Sequence, residues 1–464
     1  MDRLSTLNRL RTDKLRVKAK TIVYALVFLL VFEGLVRKLL PSAIGLVIFF
    51  LKDVLCIYAL TLVLNLNFKG LSNTILKSWK IIFIAFIPCI IQTALHDPVL
   101  AIFGIKQYLL YIVVGLLVPI AFPPSRILEF RTFLSIFIFL LIPTALIAIV
   151  QNSLPATHWL NRSVDGDSLE GFSAAGYLRV SSTFAFTGQY SWFLDVVCGF
   201  FAATFFFPSF KRKKKYLNIL LLSLAGLSLG VGAFITGGRT AVLGCGGCLL
   251  IGFIFASIKS PGRFVLRGIA MIAVFFMLLG VIRAVKPEFF AAYDARSTGT
   301  EERSHSQEIE GRVSEELFAW VGWLFRQDLL PMLFGRGLGV MSNGSDKISA
   351  YAAVERSFGA EADYITTAWE GGVYLMIIWY GFRIWAIFFC IRIWVKSVNL
   401  GVPIAFLLGF VIIIGLYSFI AKQPPLNIWF WLTIGSIITL KNFDDERERV
   451  SKKRLANRQP QPML

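Results

Sequence analysis

The chain has 464 residues, 56% of them hydrophobic and 16% charged, with a formal net charge of +19. So apolar a composition excludes a water-soluble globular fold and a disordered chain. A positive charge of this size also suggests a nucleic-acid partner, but its distribution along the chain assigns it to an anionic membrane surface, and no nucleic acid is expected.

About 20 apolar residues in a helix cross a bilayer. In chain order, twelve segments fit that description: 21–36, 42–66, 79–95, 101–122, 132–150, 189–207, 217–236, 241–258, 266–285, 371–394, 401–421 and 428–440. The expected fold is an all-α, polytopic helical bundle of about twelve transmembrane helices. With the N-terminus inside, 29 of the 47 Lys and Arg residues fall in or beside cytoplasmic segments and 15 in outer ones. Both termini are therefore predicted cytoplasmic. This divides the chain into a basic N-terminus (1–20), a transmembrane domain (21–440) and a charged tail (441–464) expected to stay unstructured. With a basic first 20 residues and a long apolar run after them that lacks a small-residue cleavage site, no cleavable signal is expected.

All six cysteines lie within predicted spans and read as small apolar packers. Cys245 and Cys248 have C-x-x-C spacing, but no second pair or histidine lies near them, so no metal and no cofactor is expected.

Two outer segments are long, 151–188 and 286–370. In the second, Ser314 with Glu315 and Glu316 predicts a helix start and Pro331 its stop, with Trp320 and Trp323 at headgroup level. The run Gly335-Arg336-Gly337-Leu338-Gly339 is either a phosphate cradle or a tight structural turn. Arg239 follows Gly237 and Gly238 in the hairpin between the seventh and eighth spans. It is either an interface arginine snorkelling to headgroups or an anion clamp whose planar fork matches phosphate oxygens. Glu33 with Arg37 and Lys38, and Lys52 with Asp53, lie close to hydrocarbon. They are either paired charges that fix packing or a basic lip for an anionic substrate.

Several of these features together resemble the O-antigen ligase and polymerase superfamily, the Wzy-type membrane proteins. The hairpin FITGGRTAVLG resembles the family's small-residue and arginine turn. Gly311-Arg312, Trp320, Pro331 and the glycine run resemble the order of its large loop, which leads into Glu370-Gly371-Gly372. Arg326 to Gly337 also fits the arginine, ten residues, glycine spacing of polymerase loops. Glu33-Gly34 to Pro41, Lys52-Asp53, Gly104 to Tyr111 and Arg179 to Phe184 resemble an exopolysaccharide-polymerase branch.

The resemblance implies a metal-independent glycosyltransferase in a bacterial inner membrane. On its outer face the enzyme joins repeat units carried on undecaprenyl diphosphate, alongside flippase and chain-length regulator partners. Arg239 and Arg312, backed by Arg326 and Arg336, would bind the diphosphate, and Glu361, Asp363 or Glu370 would serve as base. The ligase branch has a histidine late in the loop. Here that stretch is Ala360-Glu361-Ala362-Asp363-Tyr364, and His96, His158 and His305 lie elsewhere, which favours polymerase over ligase. Twelve spans with both termini inside also suit a transporter, including a lipid-linked oligosaccharide flippase, although no internal repeat is evident.

Overall fold

A computed structural model describes residues 2–66, 68–164, 173, 177–207, 215–297, 318, 320–342, 344–356, 363–418 and 420–456. Among the described residues there is no β-sheet. Helices α1 (Asp2–Leu39), α2 (Ser42–Leu64) and α3 (Gly70–His96) lead into a broken segment of α4 (Pro98–Ile105), one stretch of π-helix (Lys106–Leu110) and α5 (Ile112–Ala121). Next come α6 (Ile127–Asn152), α7 (Thr187–Phe205), α8 (Lys215–Ile235), α9 (Arg239–Lys259), α10 (Arg263–Val285) and α11 (Glu288–Ser297). Four short helices follow: α12 (Trp320–Leu324), α13 (Leu329–Phe334), α14 (Ser345–Ile348) and α15 (Ala350–Glu355). The described chain ends with α16 (Asp363–Val395), α17 (Gly401–Tyr417) and α18 (Pro424–Ala456).

Every predicted span coincides with one of these helices or with the broken pair. Among the described residues, six helices are long and apolar enough to cross a membrane: Asp13–Leu39, Ser42–Leu64, Gly70–His96, Pro124–Asn152, Arg239–Lys259 and Asp363–Val395. The pieces Pro98–Leu110 and Ile112–Ala121, bent by 42°, make a seventh if taken as one span. The chain is thus a helical membrane protein. Two of the remaining predicted spans are shorter or more polar for physical reasons. Helix α17 has 17 residues. Helix α18 carries Asn427 and three polar hydroxyl residues, Thr433, Ser436 and Thr439, and it can do so because protein surrounds it. Its Leu426, Trp429, Trp431 and Ile434 are all buried, as is α5 from Ile112 through Val118. A helix buried on every side need not offer lipid an apolar stripe. Helices α5 and α18 pack on each other at the centre, while α2 and α3 carry exposed Leu46, Val47, Ile81 and Ile84 at the periphery.

Side-chain contacts sort the loops to two ends. At one end Arg16 and Lys20 meet Glu129, Phe443 packs on Phe130, Lys259 reaches the Val395 carbonyl, and Asp444 accepts from the Val398 and Asn399 amides. At the other, Lys38 reaches Leu160 and Ser181, Gln92 reaches Gly335, and His96 stacks on Tyr351. Helix α4 starts at this second end on an Asp-Pro pair. Asp97 accepts from the Val99 and Leu100 amides, and Pro98 occupies the first turn, where its missing N–H costs nothing. The Ser349 hydroxyl, followed by those two amides, holds the Asp97 carboxyl below its usual range.

Two expectations are corrected. The tail is not unstructured from Lys441: α18 continues to Ala456, and 457–464 lie outside the described residues. Lys441–Asp445 and Lys452–Glu448 pairs at helical spacing, together with the buried anchors Phe443 and Asp444, hold those turns. Pro331 does not stop a helix begun at Ser314. Helix α12 ends at Leu324, and Pro331 sits in the first turn of a new helix, α13, where no backbone bond is lost. Residues 314–317 lie outside the described residues.

Candidate functional site

The glycine-rich turn 335–339 determines how the long loop meets the bundle. Gly335 has φ +70°, and a Cβ there would lie 2.3 Å from the Gly371 nitrogen and 2.4 Å from the Glu370 carbonyl carbon. The turn presses on a matching interruption in α16, where Gly372 adopts φ 60°, ψ −158°. Once seated, its amides are used in sequence. Arg336 N–H donates to the Trp369 carbonyl (2.8 Å), Gly337 N–H to the Glu370 carbonyl (3.0 Å), and Leu338 N–H to Thr93 Oγ1 (2.8 Å). Met341 N–H donates to Glu370 Oε1 (2.9 Å). Those donors are spent inside the protein, so the turn is a structural strap and not a phosphate cradle at these amides.

Glu370 is the meeting point of two interrupted helices. Its Oε2 accepts from the Tyr108 hydroxyl at 2.6 Å, and both residues are buried. Tyr108 lies in the π-helical stretch, and such insertions into α-helices cluster at functional positions. The backbone displaced there is satisfied from outside. Trp79 Nε1–H donates to the Leu109 carbonyl (3.1 Å) and the Asn427 amide to the Gln107 carbonyl (2.7 Å). Irregular backbone at membrane depth requires such compensation.

The same stretch holds a second buried carboxylate. Asp53 accepts from Lys106 Nζ (2.9 Å) and from the Tyr111 hydroxyl (2.5 Å). Beside it, Glu33 accepts from Arg37 (3.2 Å) and from Lys52 Nζ (3.1 Å), with Lys52 fully buried. Lys38 donates to the Leu160 carbonyl and to Ser181 Oγ. A Cβ on Gly34 would lie 2.1 Å from the Phe184 carbonyl carbon, so the 183–185 backbone lies directly on α1, and Leu35 N–H donates to the Thr183 carbonyl (2.7 Å). The four sequence patches at 33–41, 52–53, 104–111 and 179–184 therefore converge in space. Of the two readings of these charges, the described geometry is that of paired charges fixing helix packing.

Arg239 opens α9 and is half-buried. The turn before it has Gly237 at φ +60°, with Gly238 N–H donating to Thr236 Oγ1 (3.1 Å). Arg179 lies against the same turn: Cβ atoms on Gly237 and Gly238 would be 3.4 Å from its Cγ and 3.5 Å from its Nη2. Two arginines and the positive end of a helix thus share one turn.

The other predicted residues are not gathered there. Arg336 donates to Glu355 and to Gln327 Oε1 (3.0 Å), and its guanidinium lies 4.9 Å from the Trp369 ring centroid. Arg326 is exposed on the turn after α12. Asp363 is buried, paired with Arg383 and accepting from the Tyr380 hydroxyl (2.8 Å). Arg312 and Glu361 lie outside the described residues, as does His305. Sequence reasoning did not single out Tyr108 or Arg383. Each carried a signal, Tyr108 as a polar group inside an apolar span and Arg383 as a charge within one. Among the described residues no cluster of His, Cys, Asp and Glu is arranged to hold a metal ion. Comparisons with family models, with curated proteins and with solved structures find no match to this chain.

The roles of the Glu370 oxygens can be separated by substitution. Glu370→Gln is expected to keep the fold, because an amide oxygen still accepts from Met341 N–H and the Tyr108 hydroxyl can turn to accept. Glu370→Ala leaves both groups unpaired, at about 1–3 kcal/mol each. Thermal melting of the two variants in detergent tests this, and equal losses would overturn the hydrogen-bonding account.

Proposed function

We propose that the protein is a membrane glycosyltransferase that polymerises glycan repeat units carried on a lipid diphosphate. The observation that carries this reading is the pairing of Arg239 and Arg179 on the Gly237–Gly238 turn at the start of α9. Guanidinium forks beside a helix N-terminus suit a diphosphate, and they stabilise its charge without a metal. The bond from the sugar's anomeric carbon to the diphosphate oxygen breaks, and the diphosphate leaves with the electron pair. An acceptor hydroxyl forms the new glycosidic bond and gives its proton to a carboxylate. Asp363 is committed to Arg383, and Glu370 to Tyr108 and Met341, so Glu361 is the carboxylate assigned to that proton. Arg312 joins Arg239 on the diphosphate in this scheme, and the similarity to the O-antigen ligase and polymerase superfamily supports both assignments.

The test is the length profile of surface and lipid-linked glycan in cells lacking the protein. Single repeat units should persist while long chains vanish. Wild-type protein should restore them, whereas Arg239→Ala, at equal protein level, should restore about a hundredfold less. Long chains stranded on the lipid carrier would make the protein a ligase, and an unchanged profile would refute glycosyl transfer. A transporter reading has its own support in the two interrupted helices joined at Tyr108 and Glu370, an arrangement common where transporters bind cargo. On that reading, repeat units would accumulate on the cytoplasmic face instead.

A further inference from the structure

At the opposite end of the bundle from Arg239 lies a groove of about 490 Å³ between α1 and α6. Its walls are Val17, Thr21, Tyr24, Ala25 and Phe28, and its rim is Arg16, Lys20 and Glu129. Val17 and Phe28 are 53% and 45% exposed, so the groove opens sideways, where lipid would lie. The Tyr24 ring is fixed edge-on against Phe122 and Phe133. At the rim Glu129 accepts from Arg16 (3.1 Å) and Lys20 (2.8 Å) and pairs with Arg126 (3.3 Å). Asp13 lies 3.6 Å from Arg16 but is well exposed. Three cations therefore surround the half-buried Glu129, and with Asp13 counted one positive charge is left over beside an apolar slot.

We propose that this groove binds an anionic phospholipid, with its headgroup phosphate on Arg16 and Lys20 and an acyl chain along Tyr24, Ala25 and Phe28. The charge complementarity selects this occupant: a zwitterionic lipid brings its own cation to a rim that is already cationic, whereas an anionic headgroup neutralises the excess. The positive-inside distribution places the rim at the cytoplasmic leaflet, whose surface is the anionic one. Glu129 competes with the phosphate for the same two side chains, which gives the proposal a test of opposite signs. The site is independent of the glycosyl-transfer reading.

The experiment is native mass spectrometry of the full-length protein in detergent, titrated with phosphatidylglycerol or with phosphatidylcholine. Phosphatidylglycerol should be retained roughly tenfold better, the Arg16→Ala/Lys20→Ala variant should lose that preference, and Glu129→Gln should strengthen it. Lys14→Ala/Lys18→Ala removes two charges from the same helix outside the groove and should leave the preference in place. Equal retention of the two lipids, loss of preference in the Lys14/Lys18 control, or weaker binding by Glu129→Gln would each overturn the proposal. The Glu129→Gln gain keeps the test decisive should the Arg16/Lys20 variant fail to fold.

Discussion

Replacing Arg383 with methionine is expected to lower stability by about 3–5 kcal/mol, the usual cost of removing one partner from a buried ion pair. Arg383 is 1% exposed and does more than neutralise Asp363. Its Nε–H donates to the Gly415 carbonyl (2.8 Å), and its Nη2 to the Ile414 (3.1 Å) and Ser418 (2.9 Å) carbonyls. The Ile414 and Gly415 carbonyls belong to the last turn of α17; Ile414 already accepts from the Ser418 cap N–H (3.2 Å) and takes the guanidinium as a second donor, so one arginine fastens the end of a neighbouring helix. The guanidinium also lies 4.7 Å from the Tyr380 ring centroid. Methionine fills the space but strips the buried Asp363 carboxylate of its counter-charge and removes one donor from each of the Ile414, Gly415 and Ser418 carbonyls. Lysine keeps the charge without the fork, so Arg383→Lys should fall between wild type and methionine. The double variant Arg383→Met/Asp363→Leu should recover part of the loss, because the stranded charge is gone. Melting in detergent, followed by tryptophan fluorescence, gives all three values. A methionine variant that melts with the wild type would refute the fastening role.

Much of the bundle was legible because hydrophobic runs encode helices directly. The runs at 42–66, 132–150 and 241–258 became α2, α6 and α9 with ends shifted by a few residues. The interruption at 106–110 was not legible. No proline or glycine falls within Lys106–Leu110, and the break is held by Trp79 and Asn427, which are distant in sequence. Asp363 was read as a loop carboxylate because nothing local reveals a partner twenty positions ahead, inside what looked like an ordinary span. The tail was misread for a related reason. Its charge count suggested disorder, but helical spacing of opposite charges and one buried phenylalanine extend a helix that the bundle had already nucleated.

The candidate site divides in the same way. Arg239 and its glycine turn stood out because a charge beside hydrocarbon demands an explanation. That Arg179 reaches the same turn depends on the loop after α6 folding back onto Gly34 of α1, a tertiary event with no local signature. Arg336 shows the converse. It sits in the most conspicuous motif of the chain, yet its guanidinium is stacked on Trp369 and bonded to Glu355 and Gln327, so it fastens the strap to its surroundings.

Gly335→Ala is expected to release that strap. The residue holds φ +70°, which costs an alanine about 1 kcal/mol or more, and the new Cβ would be driven into the backbone of Glu370 and Gly371, where no flexible side chain can yield. Backing away breaks a set of bonds that share one geometry: Gln92 to the Gly335 carbonyl, and the Arg336, Gly337, Leu338 and Met341 amides to their acceptors. Those bonds contribute roughly 0.5–1.5 kcal/mol net each, less than holding a Cβ 2.3 Å from a backbone nitrogen would cost, so undocking is the cheaper response. Hydrogen exchange should therefore accelerate by about tenfold or more across 335–342, while the centrally buried α5 and α18 keep their protection. Gly246→Ala is the control. A Cβ there meets nothing within 4 Å, and the position is inside α9, where alanine is the better helix former by up to about 1 kcal/mol. It should leave exchange at 335–342 unchanged and the melting temperature equal or higher. If both alanines behave alike, the glycine at 335 is not what seats the loop, and the contact between Glu370 and the Met341 amide would have to be held by the rest of the loop instead.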